Sequence, residues 1–598
     1  MKRMFLFLFV IACLALFFPH NATTDAQETK RPNVVVVITD DQGYGDLSCM
    51  GNPVLKTPNL DELYRDSVRL SDYHVSPTCS PTRAALLTGH WTNRTGVWHT
   101  IMGRSMLREN EVTMGQMFQD AGYETGMFGK WHLGDNYPFR PEDRGYTEVL
   151  RHGGGGVGQT PDYWDNAYFD GSYWHNGVVE PATGFCTDVF FDYAKTFIAT
   201  QKAAGKPFLA YISTNAPHGP MHSPKASSEP YKNQNANVAN FFGMIANIDD
   251  NVGEMRRFLD EQDLTENTIF IFTTDNGTSS GRKVFNAGMR GQKGSEYDGG
   301  HRVPFFVHWP KGDLKGGRDV TPITAHVDVL PTLLELCSIP KPSEAEFDGR
   351  SLAPLLNKQA EDWNDRILVT DSQRVKDPIK WRKSAVMTNR WRLINGKELY
   401  DIQADPGQTR NVADQHPRIM KKLTDFYDNW WTELEPTFAN AAQIHLGHPA
   451  ENPSRLTSHD WITTAMTPWN QSMVRKAMNG PANTGFWNVN VVNSGSYELE
   501  LRRWPKEVDL AIDSPLPAGP GVPGARAFRE TPGAAIHPIK ARLSIGSISE
   551  EKAIPSNAKS ITFHLDLPLG PNQLRASFLD AEGTEHGAYF LYVRRKQE

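Results

Sequence analysis

The sequence predicts an α/β fold followed by an all-β module, and three observations carry that reading. Val34-Val35-Val36-Val37-Ile38 is an unbroken β-branched run, as a strand buried on both faces requires. Two further runs, Phe208-Leu209-Ala210-Tyr211-Ile212 and Thr268-Ile269-Phe270-Ile271-Phe272-Thr273, recur with helical stretches between them. That alternation predicts a large mixed, mostly parallel sheet flanked by helices. From Gly485 the pattern becomes short alternating strands with proline-rich connections, for example Ser496-Tyr497-Glu498-Leu499-Glu500-Leu501, which predicts a β-sandwich.

The elements follow in order. Lys2 and Arg3 precede an apolar run from Met4 to Phe18, a leader of signal-peptide length with cleavage expected after Ala22 or Ala26. Residues 1–26 are therefore expected to be removed on export to a periplasmic or extracellular space; a lipid anchor through Cys13 is the lesser alternative, because the oily run continues beyond it. No later stretch is apolar enough to predict a membrane span. The chain of 598 residues exceeds what one core usually serves. A core is expected over 27–350 and a small C-terminal subdomain over 351–440, with strands at Trp391-Arg392-Leu393-Ile394 and Glu398-Leu399-Tyr400-Asp401 and a helix near Pro417 to Leu434. Residues 441–484, rich in Pro, Asn, Ser and His, read as a linker, and 485–598 as the β module.

Composition excludes some functions. Lys plus Arg total 62 against 69 Asp plus Glu, a net charge of −7, which argues against a nucleic-acid binder held by phosphate neutralisation. Hydrophobic residues at 39% and aromatics at 11% exclude a disordered chain. Cys49, Cys79, Cys186 and Cys337 are too few for a disulfide scaffold, though one bridge among Cys49, Cys186 and Cys337 is open.

Polar groups follow each strand candidate: Asp40-Asp41 after the first, His218 after the second, Asp275-Asn276 after the third. Open α/β sheets carry their sites at the carboxyl ends of strands, so these groups can share one crevice. Either acidic pair alone reads as turn or capping residues. Together they form a hard, all-oxygen set suited to Ca²⁺ or Mg²⁺ rather than zinc.

The segment Pro77-Thr78-Cys79-Ser80-Pro81-Thr82-Arg83-Ala84-Ala85-Leu86-Leu87-Thr88-Gly89 resembles the sulfatase family, whose hallmark is Cys-x-Pro-x-Arg leading into a helix. Further elements are similar to the same family. They are Gly122 to His132 (with Phe128 where a smaller residue is usual), Asn215-Ala216-Pro217-His218-Gly219-Pro220, and Thr274-Asp275-Asn276-Gly277 with Gly291-Gln292-Lys293-Gly294 and Asp298 to Pro304. The resemblance spans about residues 31 to 435 and implies an alkaline phosphatase-like core.

The resemblance further implies a sulfuric ester hydrolase of the arylsulfatase type. Cys79 would be oxidised to formylglycine by a formylglycine-generating enzyme, and its hydrated gem-diol would attack sulfur. Asp40, Asp41, Asp275 and Asn276 would bind Ca²⁺, with Mg²⁺ as the alternative, together with the group at Cys79. Arg83 and Lys130 would steady the nucleophile with His132, which is also the base that restores the aldehyde. Lys293 and His218 would hold the sulfate and protect the leaving oxygen, with Lys130 also near substrate. Asp275 has two open roles, metal ligand and base. Cationic groups belong where charge develops on the leaving oxygen. The implied substrate is a sulfated small molecule or glycan, identity and exo or endo action unspecified.

Two other functions compete: a phosphate mono- or diester hydrolase of the same superfamily, and an inactive glycan-binding surface protein, the latter disfavoured by the intact motifs. Other conspicuous residues have bland readings. Gly153 to Gly156 lacks the Lys-Ser/Thr of a phosphate loop and reads as a flexible surface loop. Tyr163, Trp164, Tyr173, Trp174 and His175 suit a sugar-binding rim or ordinary packing equally, and His99 and His301 read as structural.

Overall fold

The computed structural model describes residues 31–341, 346–358, 363–477 and 484–596, so the leader and Cys13 lie outside the described residues. A ten-stranded mixed sheet forms the core. Its centre is parallel: Asn33–Thr39 lies between Phe208–Ser213 and Thr268–Thr274, and Glu124–Gly129 continues beyond Phe208–Ser213. The valine run explains that position. Val34, Val36 and Ile38 enter the hydrophobic cluster on one face and Val35 and Val37 the cluster on the other, all fully buried. Antiparallel strands such as Phe305–His308 and Ser172–His175 make the sheet mixed toward its edges.

The C-terminal subdomain is a four-stranded antiparallel sheet containing Trp391–Ile394 and Glu398–Asp401, covered by the helix Pro417–Leu434. That helix buries Leu423, Tyr427, Trp430, Trp431 and Leu434, a stripe at helical spacing. Arg392, wholly buried, joins the subdomain to the core through Asp72 at 3.0 Å and Asp298 at 3.1 Å.

Two further sheets, of six and four strands, pack through one shared hydrophobic cluster as a sandwich. Here the stretch 441–484 departs from the linker expected of it. Ile444–Leu446 is an edge strand of the larger sheet and Ser454–Thr457 of the smaller, pairing with Trp487–Val491 and Phe590–Arg595. Strands of three and four residues are too short to show alternation, and the second finds its partner more than a hundred residues later. Met106, Phe139 and Trp164 of the core also enter the sandwich's cluster.

All four described cysteines are free, so the disulfide left open is not formed. No helix among the described residues is long and apolar enough to cross a membrane.

Candidate active site

The centre of the sheet brings the first groups together. Thr39 stands opposite Thr274, so Asp40 and Asp275 leave parallel strands side by side. Asp41 has a φ of 69°, a left-handed conformation that costs a non-glycine residue roughly 1 kcal/mol. The turn brings its carboxylate back toward its neighbours, and oxygens of Asp40, Asp41 and Asp275 lie with the Cys79 sulfur within 4.8 Å of one another.

Cys79 opens the buried helix Cys79–Thr88, with its sulfur 4.0 Å from Asp41 Oδ1. One turn later Arg83 reaches Asp275 Oδ2 through Nη2 at 2.7 Å and Nε at 3.1 Å. Lys130 follows the strand Glu124–Gly129 and places Nζ 2.6 Å from Asp40 Oδ2. Gly129 makes this turn possible: its φ is 111°, and a β-carbon there would stand 2.0 Å from the Ser213 carbonyl oxygen. Lys293 Nζ lies 2.5 Å from Asp41 Oδ1, and His218 Nε2 lies 3.9 Å from Asp41 Oδ2. Each carboxylate of the cluster thus has a cationic partner of its own.

The hydrogen bonds fix two imidazoles. His132 Nε2 lies 2.7 Å from the Thr100 carbonyl oxygen and must be the donor there, which leaves Nδ1, buried and unpaired among the described residues, as the lone-pair nitrogen of the neutral ring. His218 Nδ1 likewise donates to the Gly219 carbonyl at 2.7 Å, leaving Nε2 toward Asp41. Burial, then Lys130, holds His132 well below its ordinary pKa; burial, then Lys293, brings His218 to about 3.

Burial also pushes the Cys79 thiol up to about 12, with Asp40 adding to the effect, so an unmodified thiol here is uncharged and a weak nucleophile. Burial and the neighbouring Asp40 raise Asp275. Burial opposes the charge on Asp41 as well, but Lys293 and His218 outweigh it and hold that carboxyl low. Crowded carboxylates of this kind are what a cation relieves. Asp40 Oδ1 and Asn276 Oδ1 point the same way, being buried and accepting no hydrogen bond among the described residues. Asn276 Nδ2 is engaged by Asp41 Oδ1 and the Gly277 carbonyl, both at 3.0 Å. The donor set fits a hard divalent ion.

Cys79, His132, His218 and Lys293 line a cavity of about 480 Å³. Gly153 to Gly156, expected as a flexible surface loop, is buried against it instead: a β-carbon on Gly155 would meet the His132 ring at 2.2 Å, and the Val157 N–H donates to Asn215 Oδ1 at 3.2 Å. His99 lines the cavity too, whereas His301 is not among the lining residues and contacts His74. The aromatic group 163–175 is absent from the cavity lining: Trp164 packs on Trp504, and His175 pairs with Glu148 and Glu180. No motif in the sequence singled out Thr100, Arg374 or Trp469, which complete the lining or its hydrogen bonds.

Comparison with known proteins places this arrangement. The sulfatase family model matches residues 32–339, and the family described as N-sulphoglucosamine sulphohydrolase, C-terminal, matches 292–429. The chain is 32% identical over 351 residues to arylsulfatase A of Homo sapiens, covering 54% of this chain and 68% of that one. It is 30% identical over 350 residues to N-acetylgalactosamine-6-sulfatase of Canis lupus familiaris, covering 54% and 66% respectively, so the match spans just under two thirds of that relative. It is 27% identical over 507 residues to N-acetylgalactosamine-6-O-sulfatase of Bacteroides thetaiotaomicron, covering 68% and 94%. The solved structure of Ps i-CgsB in complex with k-i-k-neocarrahexaose is similar with a TM-score of 0.62 and 26% identity, over 67% of this chain and 92% of that one. Neither family match extends past residue 429.

Proposed function

The chain belongs to the sulfatase family, and from that membership we propose that it hydrolyses sulfate monoesters of a glycan and releases inorganic sulfate. The observation that carries the reading is the cluster around Cys79: three buried carboxylates, each paired with a different cation, meeting the cysteine within 4.8 Å.

Asp40, Asp41, Asp275 and Asn276 would hold a divalent ion, Ca²⁺ on the chemistry of the all-oxygen set, with Mg²⁺ as the alternative. That ion would supply positive charge to the sulfate oxygens. Cys79, oxidised by a formylglycine-generating enzyme, would supply the nucleophilic oxygen. Arg83 and Lys130 orient the cluster by fixing Asp275 and Asp40. Both oxygens of Asp275 are engaged, Oδ1 by the Asp41 N–H at 3.1 Å and Oδ2 by Arg83, which favours its role as ligand over its role as base. His132 is suited to accept a proton at Nδ1, since Nε2 is committed to Thr100.

Lys293 meets the sulfate oxygens, and His218 presents Nε2 to the leaving oxygen. In the free site His218 is neutral, held so by burial and by Lys293. A sulfate drawn to Lys293 offsets that charge and favours the protonated ring, which donates to the departing alkoxide. Basic residues followed by an apolar run at the N-terminus support export of the enzyme. We divide the chain into a core to residue 350, a subdomain to 440 and a β unit beyond.

Mass spectrometry of the tryptic peptide ending at Arg83, combined with a sulfate-release assay, tests the proposal. Formylglycine at position 79 is expected in active protein. Fully active protein carrying only cysteine there would overturn the mechanism.

A further inference from the structure

One wall of the cavity comes from outside the family matches. Ala465, Met466, Thr467 and Trp469 line it beside Cys79 and Lys293. The wall is stitched to the catalytic core rather than laid against it. Thr160 donates its N–H to the Trp469 carbonyl at 2.9 Å and its hydroxyl to the Pro468 carbonyl at 2.9 Å. Gln471 Nε2 donates to the Gln159 carbonyl at 3.2 Å, and the Met102 N–H donates to the His459 carbonyl at 2.9 Å. Behind the wall the half-buried Trp469 ring meets Phe528 edge-on at 6.0 Å. A braced indole in the lining of this cavity is a platform for the apolar face of a sugar ring.

Arg374 lines the same cavity. Its backbone is held by the Trp98 carbonyl at 3.1 Å, and its Nη1 comes to 3.9 Å from where a β-carbon on Gly294, the neighbour of Lys293, would stand. Among the described residues no carboxylate lies within 4.0 Å of its guanidinium. The deeper cations differ in this respect: Arg83, Lys130 and Lys293 are each matched by one of the three carboxylates. Arg374 is therefore surplus to the charge needed for one sulfate and its cluster. Arg374 is exposed, so its guanidinium is open to an anion that a ligand brings into the cavity.

We infer that the β unit completes the substrate site, so that the enzyme takes an acidic oligosaccharide, stacking a sugar on Trp469 and pairing a second anionic group, carboxylate or sulfate, with Arg374. This rests on the sulfatase reading above and adds to it the substrate class.

The test uses the full chain and sulfate release from matched probes: a monosulfated monosaccharide, a monosulfated neutral disaccharide, and that disaccharide carrying either a uronate carboxylate or a second sulfate on its other sugar. The parent should favour at least one acidic disaccharide over the neutral one by about tenfold in kcat/KM, the worth of one charge-assisted hydrogen bond. The two acidic probes show which anion is preferred. Arg374→Gln should erase that preference by slowing the acidic disaccharide about tenfold more than the neutral one, and Arg374→Lys should restore part of it. Trp469→Ala should lower the disaccharide-to-monosaccharide ratio by about fivefold, with melting temperatures measured alongside. An Arg374→Gln variant that slows every probe equally, or a parent that prefers the neutral disaccharide, overturns the inference while leaving the sulfatase reading intact. A parent that releases sulfate from none of the probes refutes the sulfatase reading, and this inference with it.

Discussion

Replacing His218 by alanine separates a proton donor from a packing residue. The side chain makes one hydrogen bond among the described residues, Nδ1 to the Gly219 carbonyl at 2.7 Å, and faces Asp41 across 3.9 Å. Losing such a bond costs about 1 kcal/mol, less than the roughly 5–15 kcal/mol by which folded domains are stable. The fold should therefore survive. The catalytic loss depends on the leaving group. A sugar alkoxide is strongly basic and needs a proton as the sulfur–oxygen bond breaks, so its turnover should fall by the roughly 10²- to 10⁴-fold that a general acid contributes. Nitrophenolate leaves unaided, and nitrophenyl sulfate should lose no more than about tenfold. The assay is sulfate release from both esters by parent and His218→Ala, with metal content and melting temperature measured on the same preparations. Equal losses for the two esters would refute the acid role and pass it to Lys293 or an ordered water.

Other expectations follow from neighbouring contacts. Lys293→Ala removes a charge that meets sulfate in every substrate, so it should slow both ester types and raise KM; a loss confined to sugar esters would count against that placement. Asp41→Ala should abolish turnover and bound Ca²⁺ together, and chelation of the parent should lower its melting temperature until Ca²⁺ is restored; active protein containing zinc, or no metal by elemental analysis, would contradict the ligand assignment. Arg392→Met leaves Asp72 and Asp298 buried without their shared partner, costing roughly 3–5 kcal/mol at neutral pH. Burial opposes charge on both carboxyls in the parent, but Arg392, as the foremost of several cationic neighbours with His74 next, helps outweigh it, and both are lowered. Their contribution is therefore present above the ordinary carboxylate range and lost as pH falls through the depressed values, so melts of parent and variant should converge in acid. A pH-independent gap would show that packing, not charge, dominates there.

What could be read from the sequence follows the range of the interactions involved. The valine run and the helix Pro417–Leu434 are local patterns, and each lies where its periodicity predicts. Groups at strand ends converge because parallel register puts Thr39 opposite Thr274, a consequence of sheet geometry rather than of any one motif. The partners within the cluster were not readable. That Lys130 pairs with Asp40, and Lys293 with Asp41, depends on side chains 90 or more residues apart meeting in a buried space. The glycine run 153–156 departs from its expected open loop for a related reason. Glycine suits an open loop and a close approach equally well, and only the His132 ring 2.2 Å from the missing β-carbon decides between them.

The least readable part of the site is the wall contributed by residues 465–469. Its sequence, Ala465-Met466-Thr467-Pro468-Trp469, has no periodicity, and its Thr467-Pro468 pair is typical of a connection. It becomes a wall because the edge strand before it, Ser454–Thr457, is held by Phe590–Arg595 near the chain's far end, while Thr160 and Gln159 anchor it to the catalytic core. The sandwich therefore acts on the site without supplying any group of the charge cluster: it fixes where the loop stands, and the loop shapes what enters. The groups proposed to act on the sulfate lie within the family match, on a sheet whose register places them, whereas one part of the cavity wall, Ala465 to Trp469, lies beyond residue 429 and is held by long-range pairing. On the proposed reading, the Cys79 cluster and the 465–469 wall rest on different parts of the fold, so substitutions at Trp469 should change which ester is cleaved while leaving the cluster intact.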